Sequence, residues 1–98
     1  MENELRSSNK KCVRVLISGK VQGVGYRFST FQEAKKLGVT GWVKNLIDAR
    51  VEAVFCGEEN AVKTIIKWCA DGPPAAVVKS VEVEEIEPRA IDNFEIRY

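Results

Sequence analysis

A chain of 98 residues, 45% hydrophobic and 30% charged, holds one core of two layers and leaves no room for a separate cofactor domain. Its net charge of +1 excludes the bulk basicity of a nucleic-acid binder, and no apolar run is long enough to span a membrane. The chain has no histidine, so the commonest general base and metal ligand is missing.

The charge is unevenly spread. Residues 1–50 carry 10 Lys/Arg against 4 Asp/Glu, and residues 51–98 carry 5 against 10. The first half would welcome an anionic ligand; solvated faces that happen to differ are the plainer explanation. Met1 to Lys11 is polar and mixed in charge, without the apolar segment of a signal peptide, and reads as a flexible tail before a domain of residues 12–98. Cys12, Cys56 and Cys69 are odd in number and lack C-x-x-C spacing, so they read as buried, unreactive thiols in a reducing, cytoplasmic setting.

In chain order, Val13, Val15 and Ile17 alternate with Arg14, Leu16 and Ser18, a strand pattern. A glycine-rich turn, Gly19 to Gly25, leads into a helix over Tyr26 to Leu37, with Phe28, Phe31, Ala34 and Leu37 as its apolar stripe and Gly38 as its stop. Residues 39–47 read as a second strand, Asp48-Ala49 as a turn, and Arg50 to Cys56 as a third strand. Gly57 and Glu58 open a second helix striped by Val62, Ile65, Ile66 and Cys69, which Asp71-Gly72-Pro73-Pro74 ends. Val77 to Ile86, with Val77, Val81 and Val83 on one parity, is a fourth strand, and Phe94-Glu95-Ile96 a short closing one.

The order β-α-β-β-α-β plus a tail strand predicts an α+β, ferredoxin-like split βαβ sandwich, with two helices on one face of an antiparallel sheet. That fold hosts many activities, so function has to come from particular residues.

The segment Gly19-Lys20-Val21-Gln22-Gly23-Val24-Gly25-Tyr26-Arg27 joins a strand to a helix. Such a loop can turn consecutive backbone N–H groups inward, and the helix N-terminus adds partial positive charge, which together suit a tetrahedral anion. Arg27 stands in the first helical turn, where the dipole opposes a cation; a phosphate beside it would account for it, as would a plain surface position. Neither a Walker loop nor a dinucleotide fingerprint fits, because Val21 follows Gly19-Lys20 and Phe28 stands where a third glycine is needed. Asn45 lies on the parity of Val43 in an otherwise apolar strand, where an amide could hold a water or simply begin the hairpin turn. Trp42 reads as sheet-face packing.

Val21-Gln22-Gly23-Val24-Gly25-Tyr26-Arg27 followed by Leu37-Gly38-Val39-Thr40-Gly41-Trp42-Val43-Lys44-Asn45 resembles the two signature stretches of the acylphosphatase family. Val51-Glu52, Gly57, Gly72-Pro73 and Phe94 extend the resemblance over residues 12–98. The resemblance implies an enzyme that hydrolyses the carboxyl–phosphate anhydride of acyl phosphates with neither metal nor cofactor. It implies that the backbone of Gln22, Gly23, Val24, Gly25 and Tyr26 and the side chain of Arg27 bind the phosphate, and that Asn45 orients the attacking water. Tyr26 stands where the family more often has Phe, and Ala49 where it often has Gly. The expected partner is a small acyl phosphate rather than nucleic acid or membrane, and the three glutamates at 82, 84 and 85 on the fourth strand favour a monomer. A non-catalytic phosphate-binding module of the same fold is the alternative. An RNA-binding sheet is disfavoured because the two central strands carry one aromatic, Phe55.

Overall fold

The alternation around Val13, Val15 and Ile17 produces β1, Lys10–Lys20, in the computed structural model, which describes residues 10–98. The chain continues through α1 (Tyr26–Leu37), β2 (Thr40–Asn45), β3 (Val51–Glu58), α2 (Glu59–Cys69), β4 (Val77–Ile86) and β5 (Phe94–Arg97). Most of the expected tail lies outside the described residues, but Lys10 and Lys11 belong to β1, where they pair with Glu58 and Gly57 of β3.

The sheet order is β4-β1-β3-β2-β5. β1 runs antiparallel to both β3 and β4, and β2 antiparallel to β3. The antiparallel expectation therefore holds for the four strands of the split βαβ unit. β5 joins the outer edge parallel to β2 and makes the sheet mixed. It is anchored there by Phe94, whose ring stands 6.0 Å from that of Phe55 and 6.4 Å from that of Phe31.

β3 is buried on both faces, Val51 to Cys56 without a break, as a central strand must be. Its Val51, Ala53 and Phe55 join Val13, Val15, Ile17 and Val43 in the main core beneath the helices, where Ala34, Val62, Ile65 and Cys69 cover them. Burying each larger aliphatic side chain stabilises the fold by about 1.5–3 kcal/mol. A smaller cluster of Cys12, Val54 and Cys56, with Trp42, Ile86 and Ile91 against it, covers part of the opposite face. Trp42 thus packs on the sheet as expected, with the Lys44 ammonium 5.6 Å and the Arg97 guanidinium 4.8 Å from its ring centre.

Three readings of side-chain placement are corrected. In α1, Ala34 is buried and Phe31 and Leu37 pack against the core as expected, but Phe28 is 57% exposed, and Tyr26 and Thr30 complete the buried face instead. A strict three-residue repeat drifts around a helix of 3.6 residues per turn, so a stripe from Phe28 to Leu37 cannot stay on one face. In β4, a bulge opposite Ser18/Gly19 shifts the register, so that Val78 and Val81 pack inward and Val77 is exposed. Finally, Cys12 and Cys56 are not free thiols. They face each other across β1 and β3 with Cα atoms 4.1 Å apart and form a disulfide, leaving Cys69 as the free cysteine among the described residues.

Candidate active site

The loop between β1 and α1 is built on glycine conformations. Gly23 (φ +74°) and Gly25 (φ +79°) lie in the left-handed region, and a Cβ on either would meet no protein atom within 4 Å. Backbone conformation, rather than crowding by the protein, requires glycine there. Gly25 is also the N-cap of α1, and no side chain caps this end. The first bond of the helical ladder runs from the Ser29 N–H to the Gly25 carbonyl, 3.0 Å, so the N–H groups of Tyr26, Arg27 and Phe28 precede the ladder. No acidic residue stands in the first turn.

The loop is held at both ends. Val21 is buried at its start. At its finish, Tyr26 is buried and its hydroxyl donates to the Cys69 carbonyl at the end of α2, 2.7 Å. Burial, with Cys69 beside it, pushes the Tyr26 phenol well above its ordinary value and keeps it a donor. Between these anchors, the Gln22 side chain turns away to the β2–β3 hairpin, and Val24 packs against the core.

Asn45 ends β2 on the helix side of the sheet, opposite Val51. The hairpin beyond it closes through Leu46 N–H to the Arg50 carbonyl at 2.8 Å and turns at Ala49, whose φ of +80° is the left-handed conformation that glycine would take without strain. Asp48 braces the turn by accepting from the Arg50 backbone N–H at 3.2 Å and from its guanidinium. These bonds hold the Asp48 carboxyl below the usual carboxylate range and raise Arg50.

Gly23, Gly25, Tyr26, Arg27 and Asn45 all line one cavity of about 240 Å³. Of the residues singled out from sequence, Gln22 and Val24 do not line it. Val21, the first residue of the expected phosphate loop, lines it too, as do three residues that the sequence did not mark for the site: Phe28, Ile96 and Tyr98. Arg27 reaches across to the far end of the chain, where its Nη1 donates to the Arg97 carbonyl at 3.1 Å and its guanidinium carbon lies 4.8 Å from the centre of the Tyr98 ring. No local signal could have found this contact, since it spans 70 residues and depends on β5 joining β2 in parallel. A shallower cavity of about 670 Å³, bounded by Lys44, Ile47 and Arg97, shares Asn45 and Tyr98 with the first. Among the described residues, no group of three or more His, Cys, Asp or Glu could hold a metal ion, and no helix is long and apolar enough to cross a membrane.

Fold and cavity together define a ferredoxin-like α+β sandwich with an arginine-bearing cavity at its first strand–helix junction. The family model for acylphosphatase matches residues 13–96. An acylphosphatase of Trichormus variabilis is 50% identical over 97 residues, covering 99% of this chain and 96% of that protein. One from Rubrobacter xylanophilus is 56% identical over 89 residues, covering 89% and 80%. The solved structure of an acylphosphatase from Coxiella burnetii superimposes with a TM-score of 0.90 at 42% identity, over 94% of this chain and 97% of that one. The chain belongs to the acylphosphatase family. It is an enzyme that hydrolyses acyl phosphates to a carboxylate and inorganic phosphate.

Proposed function

We propose that Arg27 and the backbone N–H groups from Gln22 to Tyr26 hold the phosphoryl group, while Asn45 holds the water that attacks it. The observation that carries this reading is the convergence, on one cavity, of the glycine turn at Gly23 and Gly25, the Arg27 side chain from α1 and Asn45 from β2. Uncapped N–H groups and the positive end of the helix dipole favour an anion there. The Arg27 guanidinium can bind two phosphate oxygens at once and stabilise charge on the equatorial oxygens during transfer. The Asn45 amide offers a donor and an acceptor, enough to fix a water in one orientation, and in-line attack on phosphorus gains from that fixed position.

An acyl phosphate has a good carboxylate leaving group, so the reaction asks less of the protein than hydrolysis of a phosphate ester does. No histidine is present to take the water's proton. A phosphate oxygen of the substrate is the base in this reading, and the pH–rate profile near neutrality then has no limb that mutation of an enzyme carboxylate moves. The cavity grips mainly the phosphate end, so several small acyl groups are accepted, and metal and cofactor have no part in the step.

The protein works as a monomer without nucleic acid, its exposed β4 edge guarded by Glu82, Glu84 and Glu85. A cytoplasmic setting completes the proposal. There the Cys12–Cys56 pair meets thiols that keep most cysteines reduced.

The test is hydrolysis of benzoyl phosphate with EDTA present, beside Arg27→Gln and Asn45→Ala. Both variants are expected to fold and to lose about 10²–10³ in kcat/KM. Only Arg27→Gln is expected to weaken inhibition by inorganic phosphate. Full activity in a folded Asn45→Ala protein would overturn the role of the amide. Phosphate binding unchanged in Arg27→Gln would overturn the role of the guanidinium.

A further inference from the structure

Gln22 lies inside the loop that carries Gly23 and Gly25, yet its side chain leaves the cavity. Its Nε2 donates to the Leu46 carbonyl at 2.8 Å and to the Arg50 carbonyl at 2.9 Å, reaching 24 and 28 residues along the chain. Both partners are carbonyls, so only the nitrogen end of the amide satisfies them, and both of its protons are used. These two carbonyls stand at the mouth of the β2–β3 hairpin, one residue outside the final ladder pair Asn45–Val51. They are already engaged within the turn, Arg50 O by Leu46 N–H at 2.8 Å and Leu46 O by Ala49 N–H at 3.3 Å.

We infer that Gln22 is a positioning residue, whose amide ties the glycine loop to the hairpin and so fixes Asn45 relative to Arg27. The inference rests on the proposed division of labour, in which the loop with Arg27 holds phosphate and Asn45 holds water. Those halves sit on different elements, α1 and β2, and in-line attack depends on their separation. The hairpin would otherwise be free to adjust, because Ala49 holds a conformation disfavoured for a residue with a Cβ. One side chain that spans both halves converts two locally built pieces into a single geometry. Because the Gln22 amide donates to the two hairpin carbonyls, its loss is expected to disturb the water half and to leave the phosphate contacts of Arg27 and the loop in place.

Two variants test this on benzoyl phosphate. Gln22→Met keeps the length and removes the donors. It is expected to lower kcat about tenfold while KM and the inhibition constant for inorganic phosphate stay within about twofold. The nitrogen-15 resonance of the Asn45 side-chain amide is expected to shift or broaden. Gln22→Glu sets a carboxylate against two carbonyls and is equally impaired at neutral pH. Its neutral acid form regains one donor, so its kcat is expected to rise as pH falls toward about 5, a limb absent from wild type and from Gln22→Met. That limb keeps the inference testable even where Gln22→Met folds poorly. Unchanged kcat in both folded variants overturns it, as does a loss of phosphate binding in step with kcat. Where wild type and Asn45→Ala turn over equally, the assignment of water to Asn45 has failed and the positioning role falls with it. Where Asn45→Ala is impaired and Gln22→Met is not, only the positioning role has failed.

Discussion

The Tyr26 hydroxyl donates to the Cys69 carbonyl across a buried interval of 2.7 Å, joining the first residue of α1 to the last residue of α2. The helix that opens the site is thereby fastened to its neighbour, and Tyr26 also packs against Trp68 with ring centres 5.6 Å apart. Replacement by Phe keeps the ring and strands a buried carbonyl. Tyr26→Phe is expected to cost about 1–2 kcal/mol of stability, read from urea unfolding midpoints at constant slope.

The same pair sets the alkaline limit. Burial pushes the Cys69 thiol from its ordinary 9.0 up to about 12, and burial raises the Tyr26 phenol as well. Both folded groups hold their protons more tightly than the unfolded chain does. Their stabilisation is whole below the unfolded values and is lost as pH rises through the folded ones. Stability is therefore expected to fall from about pH 9 upward, and Cys69→Ala should delay the onset of that fall. A flat stability profile between pH 8.5 and pH 11 would count against this.

Ala49 holds the hairpin turn at φ +80°, a conformation that costs a residue with a Cβ about 1–2 kcal/mol. Glycine relieves that strain and gives back about 0.4–1 kcal/mol through greater freedom of the unfolded chain. Ala49→Gly is thus expected to be neutral to about 1 kcal/mol stabilising, measured by chemical denaturation. A clear loss of stability would mean that the turn gains more from alanine than its backbone angle suggests.

The Cys12–Cys56 disulfide closes a loop of 44 residues between adjacent central strands, and the Arg89 backbone N–H donates to Cys12 Sγ at 3.3 Å. Alkylation of the oxidised protein after denaturation should find one free thiol before reduction and three after. Reduction is expected to lower stability by about 2–4 kcal/mol. Three free thiols in protein isolated without oxidant would place the pair in its dithiol form.

Sequence periodicity was enough for the element order, because β1 and α2 carry clean two-residue and helical repeats. The residues of the candidate cavity were legible where they are local: the glycine turn, Arg27 in the first turn after it and Asn45 at the end of β2. What escaped was set by partners distant in the chain. The cysteine pairing follows from the β1–β3 register, which no property of Cys12 or Cys56 announces. The inward face of β4 follows from a bulge opposite Gly19, where a Cβ would lie 2.2 Å from the Val77 carbonyl oxygen. The three-residue spacing put Phe28 in the apolar stripe of α1, yet the helix turns it out to line the cavity. Gln22 was counted for its backbone alone, since the hairpin carbonyls that its side chain meets are 24 and 28 residues away.

β1 is the first strand described and lies second in the sheet, bonded to β3 and β4 rather than to its neighbour in sequence, β2. Cys12 meets Cys56, and on its other side Ile86, near the opposite end of the chain. Each pairing has to close a long loop before it returns any energy, so the molecule is expected to fold in about milliseconds to seconds rather than microseconds. During synthesis β1 waits with both edges bare until β3 and then β4 emerge, and that interval is when another copy of the chain could capture it.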